Sequence, residues 1–219
     1  MILAIDVGNT NIVLGCIDDQ KVYFTERVST DPAKTELEYA VAVKTVLELY
    51  NIRKEDITGA VISSVVPPLN GIFSSAINKL LNVKPIIVGP GVKNGLNILM
   101  DNPKQLGADL VVDAVAGIHE YGAPLIIVDM GTATTICVID RNKNYIGGVI
   151  IPGVHVSLDS LTSKTSQLPK ISLGHPKKVI CTNTIDSMES GMVFGQASCL
   201  DGMIERMEAE LGYPATVIA

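Results

Sequence analysis

The sequence predicts an α/β protein built from two related lobes with a cleft between them. A strand–Asp-x-Gly-turn–strand pattern occurs twice, over residues 3–10 and 126–133, and Asp129 follows Asp6 by 123 residues. Aliphatic strands and helical segments alternate in both halves, which is typical of α/β folds. The 219 residues suffice for two lobes of about 100 residues each. Ligands of such folds bind in a crevice beyond the strand ends.

The first half opens with a β-meander whose strands are aliphatic runs separated by turn residues. These predicted strands cover residues 2–6, 11–17 and 21–26. Thr35 and Glu38 form a capping box that opens a helix running through Tyr50. The residues expected on its apolar stripe are Leu37, Val41, Leu47 and Leu49. A strand over 59–64, a helix over 69–81 and a strand over 85–88 follow.

A loop rich in Gly, Pro, Lys and Asn covers residues 89–102, and we place the lobe boundary there, between 1–102 and 103–219. Asp109 then begins a helix that ends at Tyr121. Its apolar face is formed by Leu110, Val111, Ala114, Val115 and Ile118. Three strands are predicted over 125–129, 134–140 and 145–151, and a long helix from near Ser187 towards Leu211.

Composition excludes several classes of function. The net charge is −6, from 17 Lys and Arg against 23 Asp and Glu, and no long basic run offsets it. Because an acidic chain repels phosphate backbones, we expect no nucleic-acid partner. The mean hydropathy is +0.35, yet no apolar run reaches the roughly 18 residues of a membrane span. We therefore expect no membrane association, and the first residues contain no basic leader of a signal peptide.

The four cysteines, which form no CxxC pair, suggest buried thiols in a reducing cytoplasm. The three histidines have no metal-ligand spacing and are predicted to be surface or capping residues. The cysteines are Cys16, Cys137, Cys181 and Cys199, and the histidines are His119, His155 and His175.

The two turns after the buried strands have the chemistry of a nucleotide site. Gly8 and Gly131 would let a phosphate approach the main chain closely. Short polar side chains surround them, namely Asn9, Thr10, Asn11, Thr132, Thr134 and Thr135. Asp6 and Asp129 would repel a polyphosphate unless a cation bridges carboxylate and phosphate oxygens. Plain hairpin corners are the alternative, and neither turn is a P-loop.

Asp109 follows Gly107 and Ala108 just before a helix. It is either the helix N-cap or a base that accepts the proton of a substrate hydroxyl. Phosphoryl transfer depends more on positioning than on proton abstraction. A carboxylate held at the start of a helix is therefore an adequate base for this reaction. Likewise, Asn183 or Thr184 could simply cap the long helix. Gly147 and Gly148 could form a bulge that ends a strand.

In combination these motifs resemble the type III pantothenate kinases, a branch of the actin-like ATPase superfamily. The matching motifs lie in family order over nearly the whole chain. They are Asp6-Val7-Gly8-Asn9-Thr10-Asn11, Ser63-Ser64-Val65-Val66-Pro67, Gly107-Ala108-Asp109, Asp129-Met130-Gly131-Thr132-Ala133-Thr134, Gly147-Gly148 with Pro152-Gly153, and Asn183-Thr184 with Ser190-Gly191. The resemblance implies two actin-like, ribonuclease H-like lobes with mixed sheets flanked by helices.

The resemblance also implies the reaction, in which ATP phosphorylates the primary hydroxyl of pantothenate to 4'-phosphopantothenate, the first step of coenzyme A biosynthesis. It implies a cytoplasmic homodimer that shares its substrate pocket across the interface. It implies ATP, Mg²⁺ or a similar divalent cation, and a monovalent cation (K⁺ or NH4⁺).

The implied site residues are carried over one by one. The phosphates and Mg²⁺ would be held by the first turn and the strand after it, namely by Asp6, Val7, Gly8, Asn9, Thr10, Asn11, Ile12 and Val13. Asp109 would accept the proton, Asp129 would bind the monovalent cation, and Thr132 would contact ATP. Pantothenate would be contacted by Asp109 and by Gly107, Ala108, Thr184 and the residues at positions 100 and 110.

The chain departs from the family pattern at two of these positions. Leu110 stands where Arg is usual, and Met100 stands where Tyr is usual. Family members also continue beyond the position of Ala219 to a Gly-Gly turn and a closing helix, so the resemblance implies a further closing segment. Two alternatives stay open: a non-catalytic nucleotide-binding or regulatory relative, and a kinase of another small hydroxyl substrate. A sugar kinase, acetate kinase or phosphatase of the superfamily is disfavoured by the Gly-Ala-Asp and Asn-Thr motifs.

Overall fold

The computed structural model describes residues 1–219 and contains ten strands, five α-helices and two short 3-10 helices. The strands are β1 Ile2–Val7, β2 Asn11–Ile17, β3 Val22–Ser29, β4 Gly59–Ser64, β5 Ile86–Ile87, β6 Asn97–Ile98, β7 Leu125–Met130, β8 Ala133–Ile139, β9 Asn144–Pro152 and β10 Thr216–Ile218. The helices are α1 Glu36–Leu49, α2 Pro67–Leu81, α3 Ala108–Tyr121, α4 Val154–Lys164 and α5 Thr184–Leu211. The 3-10 helices are Lys54–Asp56 and Pro103–Gln105.

The chain divides into two compact units. Unit 1 comprises residues 1–95 and 102–113, and unit 2 comprises residues 96–101 and 114–219. Helix α3 begins in unit 1 and ends in unit 2.

Unit 1 is a mixed five-stranded sheet in the order β3-β2-β1-β4-β5. The first three strands are antiparallel, and β4 and β5 run parallel to β1. Buried residues alternate along β1, because successive side chains of a strand point to opposite faces. One face forms a core with α1 and α2, in which the rings of Tyr39 and Phe73 lie 4.4 Å apart.

The start of α1 confirms the predicted capping box. The Thr35 hydroxyl accepts from the Glu38 amide, and the Glu38 carboxylate accepts from the Thr35 amide at 2.7 Å. The bond from the Thr35 backbone, with a second from its hydroxyl, lowers the pKa of Glu38. The apolar stripe predicted for this helix is wrong, however. Leu37, Val41 and Leu49 are exposed, and the buried residues are Tyr39, Ala40, Val43, Val46 and Leu47.

Unit 2 repeats the arrangement in the order β10-β7-β8-β9-β6. Strands β7, β8 and β9 form an antiparallel meander, and β10 runs parallel to β7 as β4 runs parallel to β1. Residues of α5 pack on one face, against Ile126, Val128, Ile136 and Val138. On the other face, Gly117 of α3 lies against Leu125 and Ile127. The predicted fold class of two related α/β lobes with mixed sheets flanked by helices is therefore confirmed.

No helix is both long enough and apolar enough to cross a membrane. All four cysteines are free. Cys16 and Cys137 are buried as predicted, and burial raises the pKa of the Cys16 thiol. The prediction of a buried thiol is wrong for Cys199, which is exposed, and Cys181 is half-buried. All three histidines are exposed.

Candidate active site

The first corner lies between β1 and β2 in unit 1. The Gly8 amide donates to the Asn11 carbonyl at 3.0 Å, and a Cβ at Gly8 would lie 2.9 Å from that oxygen. Thr30, just after β3, stabilises the turn through two hydrogen bonds. Its hydroxyl donates to the Gly8 carbonyl at 2.7 Å, and its amide donates to the Thr10 carbonyl at 3.0 Å. These bonds fix the turn and engage two of its carbonyl oxygens.

Asp6 is half-buried near the end of β1, and the sheet register defines its neighbours. Val13 is its partner on β2, and Ser63 is its partner on β4. Paired residues of neighbouring strands present their side chains on the same face. Ser63 is 5% exposed, and its Oγ has no hydrogen-bond partner. The carboxylate of Asp6 thus shares a sheet face with an unsatisfied hydroxyl.

The second corner lies between β7 and β8 in unit 2 and resembles the first. The Gly131 amide donates to the Ala133 carbonyl at 3.0 Å. Gly153, just after β9, takes the place that Thr30 has at the first corner, because its amide donates to the Thr132 carbonyl at 3.1 Å. Asp129 pairs with Thr135 of β8, whose Oγ1 is buried and lacks a hydrogen-bond partner. Each corner therefore combines a half-buried carboxylate with an unsatisfied hydroxyl one strand away.

Asp109 is the second residue of α3, which begins at Ala108, so it is not the helix N-cap. Its Oδ1 accepts from the Leu110 amide at 2.8 Å. The first helical bond runs from the Val111 amide to the Gly107 carbonyl at 3.2 Å. A Cβ at Gly107 would overlap the Asp109 carboxylate, so a side chain at position 107 would make that carboxylate move. Asp6 and Asp109 both belong to unit 1.

Thr184 is the first residue of α5 and lines an open cavity of about 560 Å³ in unit 2. Asn183 is the N-cap, because its side chain accepts from the Asp186 amide at 2.9 Å. Of the two residues predicted as possible caps, Asn183 caps α5 and Thr184 does not. The cavity is lined by the apolar side chains of Leu161, Leu168, Met188 and Met192 and by the hydroxyls of Thr184 and Ser187. Apolar walls with a few hydroxyls suit a small, partly polar ligand.

The sequence profile of the family described as type III pantothenate kinase matches residues 2–206 of the chain. The chain belongs to this family. A type III pantothenate kinase of Halalkalibacterium halodurans is 49% identical over 219 residues, which cover 100% of this chain and 86% of that protein. A type III pantothenate kinase of a Geobacillus species is 46% identical over 219 residues, which cover 100% of this chain and 85% of that protein.

Solved structures show the same fold at low sequence identity. A Campylobacter jejuni protein described as a Baf family transcriptional activator has a TM-score of 0.54 at 18% identity, over 92% of this chain and 78% of that one. A Sinorhizobium meliloti protein described as a 2-dehydro-3-deoxygalactonokinase has a TM-score of 0.52 at 11% identity, over 75% of this chain and 57% of that one. These two comparisons concern the fold alone.

The two departures from the family pattern lie in different units of this type III pantothenate kinase family member. Leu110 is half-buried in unit 1, directly after Asp109. Met100 is half-buried in unit 2, two residues after β6. The sequence-predicted site residues are distributed in the same way, with residues 6–13 and 107–110 in unit 1 and Asp129, Thr132 and Thr184 in unit 2.

The sequence does not predict the unsatisfied hydroxyls beside Asp6 and Asp129. Ser63 is only one residue of a matching motif, and Thr135 is only one of several polar residues near the second turn. The missing information was strand register, since Asp6 and Ser63 are 57 residues apart in the chain and meet only through the parallel pairing of β1 with β4.

Proposed function

We propose that this chain transfers the γ-phosphoryl group of ATP to the primary hydroxyl of pantothenate, the first step of coenzyme A biosynthesis. The observation that carries the proposal is the full-length similarity to type III pantothenate kinases, at 46–49% identity over all 219 residues. Asp6, Asp109, Asp129 and Thr184 are all present, which supports catalysis over a merely nucleotide-binding role.

The first corner would hold the ATP phosphates and the divalent cation. Asp6 through Val13 supply a carboxylate, a fixed turn and short polar side chains. Mg²⁺ is usually bound by one or two protein carboxylates together with substrate phosphates, so a single Asp beside an unsatisfied hydroxyl suits it. When bound, the cation neutralises charge on the transferring phosphoryl group.

Asp109 would accept the proton of the pantothenate hydroxyl. Its Oδ1 is already engaged by the Leu110 amide, which leaves Oδ2 as the acceptor we assign. Gly107 leaves the space that this carboxylate occupies, because a side chain there would displace it. Positioning of the hydroxyl for in-line attack contributes more to catalysis than proton transfer does, as expected for a loose phosphoryl-transfer transition state.

We assign the second corner to ATP and a monovalent cation, and the α5 cavity to pantothenate. Thr132 would contact ATP, and Asp129 would bind K⁺ or NH4⁺, with Thr135 as the unsatisfied oxygen beside it. Thr184 would contact pantothenate. The same role is proposed for Met100 in unit 2 and for Gly107, Ala108 and Leu110 in unit 1. Leu110 and Met100 lack the guanidinium and phenol usual in the family, so we expect weaker pantothenate binding than in relatives that have both.

We further propose a cytoplasmic homodimer. Apolar side chains near the cavity are open to solvent, with Ile180 84%, Val179 67% and Ile185 50% exposed. Such a patch is typical of an interaction surface, and its position beside Thr184 fits a substrate pocket shared between subunits. Four free thiols are compatible with a reducing compartment. Sedimentation of the protein at micromolar concentration tests the dimer, and a monomeric species would contradict it.

A coupled ADP-release assay tests the function, with pantothenate as acceptor and with and without K⁺. We expect ADP release that requires pantothenate and is stimulated by K⁺. ADP release with another small alcohol but none with pantothenate would identify a different substrate. ATP binding without ADP release would identify a non-catalytic relative.

Asp109→Asn is the matched catalytic variant. We expect it to bind ATP like the parent protein but to turn over at least about a hundredfold more slowly, the usual contribution of a general base. Nucleotide titration and initial rates measure the two effects separately. Near-normal turnover would show that Asp109 has no role in proton transfer.

A further inference from the structure

The hydroxyl of Ser63 is the most unusual polar group near the first corner. Ser63 is 5% exposed, and its Oγ has no hydrogen-bond partner. A buried hydroxyl without a partner gives up its hydrogen bonds to water and gains none in the folded protein, so folded proteins rarely keep one without a reason.

The neighbouring serine shows what an ordinary hydroxyl does in this segment. Ser64 Oγ accepts from the Val66 amide at 3.1 Å, which stabilises the connection from β4 to α2. Ser63 takes no part in that connection. The two serines are adjacent on β4, so their side chains point to opposite faces, and only Ser63 shares the face of Asp6.

Register places Ser63 next to the carboxylate that we assign to the cation. Residues paired on neighbouring strands lie about 4.8 Å apart, which is within reach of a hydrogen bond between a Ser and an Asp side chain. The other neighbour of Asp6 in this row is Val13, which offers no polar group. Ser63 is buried whereas Asp6 is half-buried, so the hydroxyl is less accessible to solvent, and to a cation arriving from solvent, than the carboxylate is.

We propose that Ser63 is a positioning residue that acts through Asp6, a role that rests on the function proposed above. Its hydroxyl donates to the carboxylate oxygen of Asp6 that faces away from the cation when cation and nucleotide are bound. This bond fixes the carboxylate in one rotamer, as hydrogen bonds to metal-ligating carboxylates generally do. The binding of the cation thereby satisfies a hydroxyl that is otherwise unpaired.

Ser63→Ala tests the proposal through two readouts that do not involve turnover. Mn²⁺ binding to the protein with ADP, followed by electron paramagnetic resonance, measures the cation site. Thermal unfolding without ligand measures the structural contribution. We expect the dissociation constant for Mn²⁺ to rise by roughly tenfold, a typical effect of losing a hydrogen bond to a metal ligand. We expect the unfolding midpoint to stay unchanged or to rise, because alanine removes an unsatisfied polar group.

Ser64→Ala is the matched control on the same strand. It removes a hydroxyl that does have a partner, so we expect its unfolding midpoint to fall while Mn²⁺ affinity stays within about twofold of the parent. Equal losses of Mn²⁺ affinity in both variants would assign the effect to the β4–α2 connection and overturn the proposal. Unchanged Mn²⁺ affinity in Ser63→Ala would overturn it as well.

The parent protein separates this proposal from the one on which it rests. If the parent fails to bind Mn²⁺ with ADP, the proposed kinase site itself fails. If the parent binds Mn²⁺ with ADP, and Asp6→Asn abolishes that binding while Ser63→Ala leaves it unchanged, only the role of Ser63 fails.

Discussion

Single glycines determine the backbone at the candidate site because there is no space for a side chain. At the second corner, a Cβ on Gly153 would overlap the carbonyl oxygens of Gly131 and Thr132. The φ of Gly153 is −65°, which any residue can adopt, so the requirement is close approach and not conformation. The helical Gly195 is a contrasting case, because nothing lies within 4 Å of its missing Cβ.

Gly153→Ala should therefore be strongly destabilising, whereas Gly195→Ala should be stabilising. Alanine at 153 must push apart the end of β9 and the turn at 131–132, and we expect a loss of about 1–3 kcal/mol, as for overpacking elsewhere. Alanine at 195 should raise the free energy of unfolding by about 0.5–1 kcal/mol, the usual gain over glycine inside a helix. Urea unfolding of both variants measures these changes. A neutral Gly153→Ala would contradict the close approach.

At the scale of secondary-structure elements, the sequence predicts the meanders well, because aliphatic runs are bounded by turn residues. The predicted strand 59–64 matches β4, and 11–17 matches β2. Helix α4 and strands β6 and β10 were not predicted, and the prediction of a loop over all of 89–102 is wrong at β6. Helix α4 is rich in Ser and Thr, with Leu158 as its only buried residue, and β10 has three residues that form a strand only by pairing with β7. Tertiary context, which a local pattern lacks, decides both.

The apolar stripe predicted for α1 combined residues from different faces of the helix. Leu47 and Leu49, for example, are two residues apart, so their side chains point about 200° apart and cannot share a face. The buried residues do follow helical spacing, with Tyr39, Val43 and Val46 on the side facing the core. Tyr39, which packs on Phe73, lies on this core-facing side, whereas Leu37 does not.

Two leucines of α1 provide a matched test of this face. Leu47 is 3% exposed, and Leu37 is 61% exposed. We expect Leu47→Ala to lower the free energy of unfolding by about 2–5 kcal/mol, because it removes buried methyl groups and leaves a cavity. We expect Leu37→Ala to change it by no more than about 0.5 kcal/mol. Denaturant titration of both variants measures the difference, and equal effects would show that the face is wrongly assigned.

The hairpin between β8 and β9 depends on a carboxylate at its tip. Burial alone would raise the pKa of Asp140, but bonds from the Asn144 amide, the Asn144 side chain and the Asn142 amide outweigh it and lower the pKa. A lowered pKa in the folded state means that the carboxylate stabilises the protein above its ordinary pKa near 4, and that this contribution disappears as pH falls through the folded-state value.

Asp140→Asn should therefore be destabilising at pH 7 and nearly neutral in acid. The charged acceptor is lost at pH 7, whereas at low pH the parent is itself protonated and resembles the amide. Urea unfolding of parent and variant at several pH values between about 3 and 7 measures the trend. A difference in stability that stayed constant over this range would show that the charge of Asp140 does not stabilise the hairpin.

At the scale of the whole molecule, duplication explains why the sequence predicts the fold and a candidate site together. Both sheets start from the same meander, and both first turns are closed by a residue just after the third strand, Thr30 or Gly153. The two Asp-x-Gly copies can be recognised in the sequence because they are local motifs. The side chains beside each acid cannot, because they come from neighbouring strands: β4 supplies Ser63 at the first corner, and β8 supplies Thr135 at the second.

The proposed nucleotide site in unit 1 has a measurable consequence of its own. Asp6 and the β1–β2 turn both belong to unit 1, so a nucleotide bound there should stabilise this turn against local opening. We expect ATP with Mg²⁺ to slow hydrogen exchange at the β1–β2 turn, and Asp6→Asn to abolish most of that slowing because the cation loses its carboxylate. Mass spectrometry of peptides from this turn measures the effect. Unchanged exchange at the β1–β2 turn in saturating ATP with Mg²⁺ would contradict the assignment of the phosphates to the first corner.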